Sequence, residues 1–174
     1  FFMARTSFDG PVRSLNGFYG TGPGMVVNIT ADTTLTVADH AGRLITVNDA
    51  DCKITLPSIV TTATPSAAGP GDDPNTLNNQ GATFRFYIET LATDLDIKTD
   101  GTDKFVGSIG VGVSSGSFEI YSPGASNDVM TYNGTTTGGI VGSYIECTAL
   151  KSAQYLVQGV LVGSGSIDTP FADA

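Results

Sequence analysis

Asp94, Asp96, Asp100 and Asp103 are the one group of acids in this chain whose spacing could hold a cation. Near-alternate carboxylates are how a calcium loop gathers its oxygen ligands. Laid on such a loop starting at Asp96, Asp100 and Gly101 fall where an acid and the turn glycine belong. Lys98 then occupies a ligand position and Gly107 stands where the bidentate glutamate is required, so the template fails. The reading adopted is a strand with solvated edge carboxylates that enters an Asp-Gly turn at Asp100-Gly101. No metal is expected; an ion held by Asp94, Asp96 and Asp100 in another geometry stays open.

The remaining chemistry-bearing residues are sparse. His40 is the single histidine and stands beside Asp39. Neighbours in a turn or strand point apart, and no Gly-x-Ser-x-Gly elbow exists, so a Ser-His-Asp arrangement is not expected. Gly20-Thr21-Gly22-Pro23-Gly24 is glycine-rich but lacks dinucleotide spacing and a following helix. Acids suited to glycoside cleavage could meet in space, yet the sequence singles out no pair. Cys52 shares a strand face with Ile54 and Leu56, and Cys147 with Ile145 and Ala149. Two buried free thiols are expected in preference to a disulfide. Catalytic residues, cofactor and metal are all read as none, and the protein as no enzyme.

Composition bounds the rest. The chain has 174 residues and 17.9 kDa, the size of one domain with a real core. Only 14% of residues are charged, which leaves a surface of Thr, Ser, Asn and Gly that can pack on a neighbour with few charges to desolvate. A net charge of −9 argues against nucleic acid, and no apolar run approaches a membrane span. Residues 1–30 hold Arg5, Arg13 and Asp9, so the acid is concentrated in the body. Met3-Ala4-Arg5-Thr6 reads like a translation start.

These residues sit on a grammar of short strands. Gly42–Asn48, Cys52–Leu56, Thr83–Thr90 and Gly142–Leu150 alternate apolar with polar side chains, which places every other residue on one face of a sheet. Further strands are expected at Met25–Thr30, Thr34–Ala38, Asp94–Thr99, Phe105–Val113, Ser117–Tyr121, Asp128–Tyr132 and Ala153–Val162. No segment of ten residues shows a helical period. The fold class is therefore all-β, an antiparallel β-sandwich or jelly roll, with an extended N-terminal arm. The core should include Ile45 or Leu44, Ile54, Leu56, Phe84, Phe86, Ile88, Ile97, Ile145, Cys147 and Val157. Residues 1–24 form the arm, 25–162 the body and 163–174 a tail expected to run across the surface. Residues 57–81, with four of the eight prolines, make a loop too long for mere connection.

Taken in order, Gly42-Arg43-Leu44-Ile45-Thr46-Val47-Asn48, Ile54-Thr55-Leu56-Pro57, Gly81 with Phe84, Phe86 and Ile88, Asp96 to Gly101, and Gly142-Ser143-Tyr144-Ile145-Glu146-Cys147 resemble small virion structural proteins of tailed bacteriophages, most of all capsid decoration (cement) proteins. The opening from Met3 to Phe18 is similar too, whereas Tyr155-Leu156 stands where such chains often carry a tryptophan. The resemblance implies a homotrimer on the outer surface of an icosahedral head, with the major capsid protein as partner. A tail-fibre or head-fibre module that binds host glycans is the alternative, and Tyr121, Asn127, Tyr132 and Asn133 could form its platform. Arg5, Phe8, Arg13, Leu15, Phe18 and Tyr19 are the arm residues expected to contact capsid or subunit, because Arg and aromatic side chains anchor interfaces.

Overall fold

The computed structural model describes residues 20–61, 78–113 and 115–174. The arm residues Arg5, Phe8, Arg13, Leu15, Phe18 and Tyr19, and most of the 57–81 loop, lie outside them. The described chain is all-β. Its strands are β1 (Val26–Ile29), β2 (Thr33–Thr34), β3 (Leu44–Val47), β4 (Lys53–Thr55), β5 (Thr83–Ile88), β6 (Leu95–Lys98), β7 (Lys104–Val113), β8 (Phe118–Tyr121), β9 (Val129–Tyr132), β10 (Tyr144–Lys151), β11 (Gln154–Gly163) and β12 (Phe171–Ala172). Where the sequence alternates, burial alternates with it: in β5 every second residue, Phe84, Phe86 and Ile88, is fully enclosed.

The strands form two sheets, one of seven in the order β1-β3-β5-β10-β11-β7-β8 and one of five in the order β12-β9-β6-β4-β2. Through the first half, successive strands pass from one sheet to the other. β1, β3 and β5 stack in parallel in the large sheet, while β2, β4 and β6 stack in parallel in the small one. The chain thus winds like a flattened coil, with Val26 beside Leu44 and Leu44 beside Arg85. The second half is antiparallel across β5-β10-β11, β7-β8 and β6-β9-β12, with one further parallel pair, β7-β11.

The expected all-β sandwich is present, but its sheets are mixed where antiparallel pairing was expected. The physical reason is that each early strand crosses to the opposite sheet before the chain returns, and such a return re-enters in the same direction. Two local expectations change as well. Thr34–Ala38 is not one strand: β2 stops at Thr34, and a single helical turn, α1 (Val37–His40), follows, capped by the Thr36 hydroxyl, which accepts from the Asp39 amide. The tail does not merely cross the surface, because β12 adds to β9 and buries Phe171 against Phe105. The expected Asp100-Gly101 turn is present, with Gly101 at φ 88°, and carries the chain from the small sheet to the large one.

One apolar cluster draws on both sheets: Ile45, Phe84, Phe86, Ile145, Cys147 and Val157 from the large one, Ile54, Ile97, Met130 and Tyr132 from the small one. Ile88 and Leu56 belong to it too, and Ile45, not Leu44, is the inward residue of β3. Enclosing each large side chain stabilises the fold by about 1.5–3 kcal/mol. The two ends of the 57–81 stretch are clasped together. Buried Asn79 accepts from the Val60 amide at 2.8 Å and donates to the Ser58 carbonyl at 2.9 Å. Tyr155 donates its buried hydroxyl to the Pro57 carbonyl at 2.6 Å.

Candidate interaction surface

The acidic cluster is divided by the fold. The Lys53 ammonium stands 3.0 Å from both Asp94 and Asp96, so one cation of β4 is shared by two carboxylates at the start of β6 and neither is free to ligate a metal. Asp100 instead builds the corner, accepting from the Thr102 and Asp103 amides and from the Ser58 hydroxyl. Asp103 is not a solvated edge carboxylate: it is buried and accepts from the Ile59 amide at 2.8 Å. Among the described residues, no group of three or more His, Cys, Asp or Glu is placed to hold a metal ion. His40 is enclosed, its Nδ1 accepting from the Thr36 amide at 3.0 Å, while the Asp39 carboxylate takes the Thr36 hydroxyl. Cys52 and Cys147 are free and buried. Burial, with Asp49 and Asp32 nearby, pushes the Cys52 thiol up to about 11.

The glycan platform is also taken apart. Tyr132 is wholly enclosed in the core, so it presents no ring to a sugar. Asn133 turns inward on its own loop, its carbonyl oxygen accepting from the amides of Thr135, Thr136 and Thr137. Asn127 accepts from the Gly124 amide and donates to Asp173. Tyr121, Asn127 and Asn133 remain half-buried, but the two asparagines are engaged in their own loops and Tyr121 lies on a different strand.

A different surface emerges at the β8 end of the large sheet. Cross-strand register sets Tyr87, Tyr144, Val160, Gly110 and Ile120 in one row on the outer face. Ile120 is 69% exposed, Phe118 57% and Val160 52%; Tyr144 is exposed beside them. The ring of Phe118 lies across two glycines of β7, and a β-carbon on Gly110 or Gly112 would approach it to 2.3 or 3.2 Å. These glycines leave a smooth floor where side chains would otherwise stand. Towards β1 the same face becomes polar, with Arg85 opposite Glu146 and Gln158 donating to Glu146 at 2.9 Å.

The opposite face of β8 differs in chemistry. There Glu119 and Ser117, with Val113, Ser115 and the 164–167 segment, line a cavity of about 500 Å³. The Tyr121 hydroxyl donates to Glu119 at 2.7 Å, and this bond leads the effects that push the phenol up to about 12. β8 has no strand on its outer side among the described residues. Sequence reasoning singled out none of Phe118, Ile120, Val160 or Tyr144. The available signal was the alternate glycines Gly110 and Gly112, followed by Phe118-Glu119-Ile120 with large apolar residues flanking a charge.

Comparison with known proteins returned no match: no family model, no curated protein and no solved structure matches the chain.

Proposed function

We propose that this chain is a capsid decoration protein. It binds the outside of an icosahedral phage head through the apolar outer face at the β8 end of its large sheet, with the major capsid protein as partner. The observation that carries the reading is the row Tyr144, Val160 and Ile120, with Phe118 beside it. These are large apolar side chains in register on a flat face, exposed on a body that has few charges. Contiguous apolar surface of this kind marks a protein contact, since a free surface gains nothing from it. The resemblance of the strand series to decoration proteins is what points to the shell as the partner. Homotrimers are part of the same reading, closed symmetry being the usual state of such copies. The segment that precedes Gly20, with Arg5, Phe8, Arg13, Leu15, Phe18 and Tyr19, is read as a second contact.

Co-sedimentation with undecorated capsids, assembled from the major capsid protein of the same genome, tests it. The wild-type chain is expected to pellet with the shells in hundreds of copies, and Val160→Asp to lose at least tenfold in affinity. A wild-type chain that stays in the supernatant overturns the proposal.

A further inference from the structure

We propose that the open edge of β8 takes up an extended segment of the partner protein as an added strand of the large sheet. Apolar side chains of that segment lie beside Phe118 and Ile120, and a lysine or arginine between them faces Glu119. This rests on the reading that the β8 end of the sheet docks a protein.

The backbone makes the first argument. The Val113 amide donates to the Ser117 carbonyl at 3.0 Å, so Val113 and Ser117 are a hydrogen-bonded pair of the β7–β8 ladder. Antiparallel ladders alternate, so Glu119 opposite Val111 is the next bonded residue. The N–H and C=O of Phe118 and Ile120 then turn away from β7, towards the open edge. The two residues with the most exposed apolar side chains therefore also present backbone groups that no strand among the described residues takes up. Sheet edges are guarded by short length, charge, proline or a bulge; Phe118-Glu119-Ile120-Tyr121 has no lysine, proline or bulge, and its guard is the single charge of Glu119, which a strand bringing a cation removes. An edge left in this state is the template that strand addition uses.

Charge selects the occupant. Glu119 has one hydrogen bond, from Tyr121, and no ion pair among the described residues. It borders the cavity lined by Ser115, Ser117, Ser164 and Ser166, which has room for a long side chain and hydroxyls to receive its donors. An added strand alternates its side chains between the faces, so an apolar-basic-apolar triplet satisfies both at once. A second copy of β8 brings no cation, since Phe118–Tyr121 contains none. In a two-fold antiparallel pair it would set Glu119 against Ser117, Glu119 or Tyr121, none of which carries a positive charge.

Two fluorescein-labelled peptides, Ser-Val-Lys-Val-Ser and Ser-Val-Glu-Val-Ser, serve as probes for the full chain in low-salt anisotropy titrations. The lysine peptide is expected to bind at least tenfold tighter than the glutamate peptide, and Glu119→Lys to reverse that order. N-methylation of both valines should abolish binding, because the edge hydrogen bonds are lost. Equal binding of the two peptides, no binding, or no reversal in Glu119→Lys overturns the proposal. So does light scattering that shows a dimer made monomeric by Ile120→Asp, which would mean a second copy holds the edge. Capsid pelleting lost in Val160→Asp, alongside peptides that do not bind, removes strand addition and leaves the decoration reading standing. Peptide selectivity in a chain that never pellets has the reverse meaning.

Discussion

Phe118 lies over Gly110 on the outer face of the large sheet, so that a β-carbon at Gly110 would stand 2.3 Å from the ring's Cζ. The clash is with the far end of a movable side chain. Gly110→Ala should therefore displace the ring at little cost to stability, within about 1 kcal/mol, while it weakens docking. Gly159 is the contrasting case, because its β-carbon would meet the Tyr144 carbonyl oxygen, also at 2.3 Å, and backbone cannot swing aside. Gly159→Ala should destabilise by about 1–3 kcal/mol. Urea melts of both variants, with capsid or peptide binding of the first, check the pair; a stability loss at Gly110 equal to that at Gly159 would show that Phe118 is fixed.

The Tyr155 hydroxyl fastens the start of the long loop to the core through Pro57. Tyr155→Phe keeps the ring packed edge-on against Phe84 but leaves a buried carbonyl without its donor. A loss of about 1–3 kcal/mol is expected. Phe86→Ala, which empties a fully enclosed site, should cost more, about 3–5 kcal/mol. Equilibrium denaturation that ranks the two the other way would place the larger share of stability in the clasp.

Acid should unfold the protein through two carboxylates, Asp128 and Asp100. Asp128 is held below its ordinary value despite the opposing effect of burial, chiefly by the Lys104 ammonium. Asp100 is held low against burial by Ser58 and the amides of its turn. A carboxylate with a lowered folded value contributes stability that is complete well above the ordinary value of 3.8 and is lost as pH falls through the folded value. Asp103 acts in the opposite sense. Burial raises it, so the fold gains as Asp103 protonates. Between about pH 5 and 2, stability of the wild type should fall, Asp128→Asn should flatten that fall, and Asp103→Asn should steepen it. Denaturant melts across that range read all three.

Both thiols should resist alkylation in the folded protein. Burial raises Cys52 to about 11 and Cys147 higher still, so almost no thiolate exists near pH 8. Iodoacetamide followed by intact-mass measurement should show no adduct under native conditions and two in denaturant. Rapid native labelling of Cys147 would mean that the sandwich opens between its sheets.

Alternation along single strands was legible from the sequence, because period-two patterning is a local consequence of backbone pleating. It marked Phe84, Phe86 and Ile88 as one face and Ile145 with Cys147 as another, and these residues do meet in the core. Strand direction was not legible: the same alternation serves a parallel or an antiparallel neighbour, and β3 lies parallel to β5 only because β4 crosses to the other sheet between them. Nor could the sequence tell a covered face from a bare one. Tyr132 and Tyr121 are both tyrosines in short alternating strands, yet the first is sealed between the sheets and the second stands near the rim. Phe118 and Ile120 have the pattern of core residues and are exposed, because β8 is the last strand of the large sheet and nothing among the described residues covers its outer face. Which residues share a face is decided by neighbours along the chain; which face is buried is decided by what the rest of the chain lays over it.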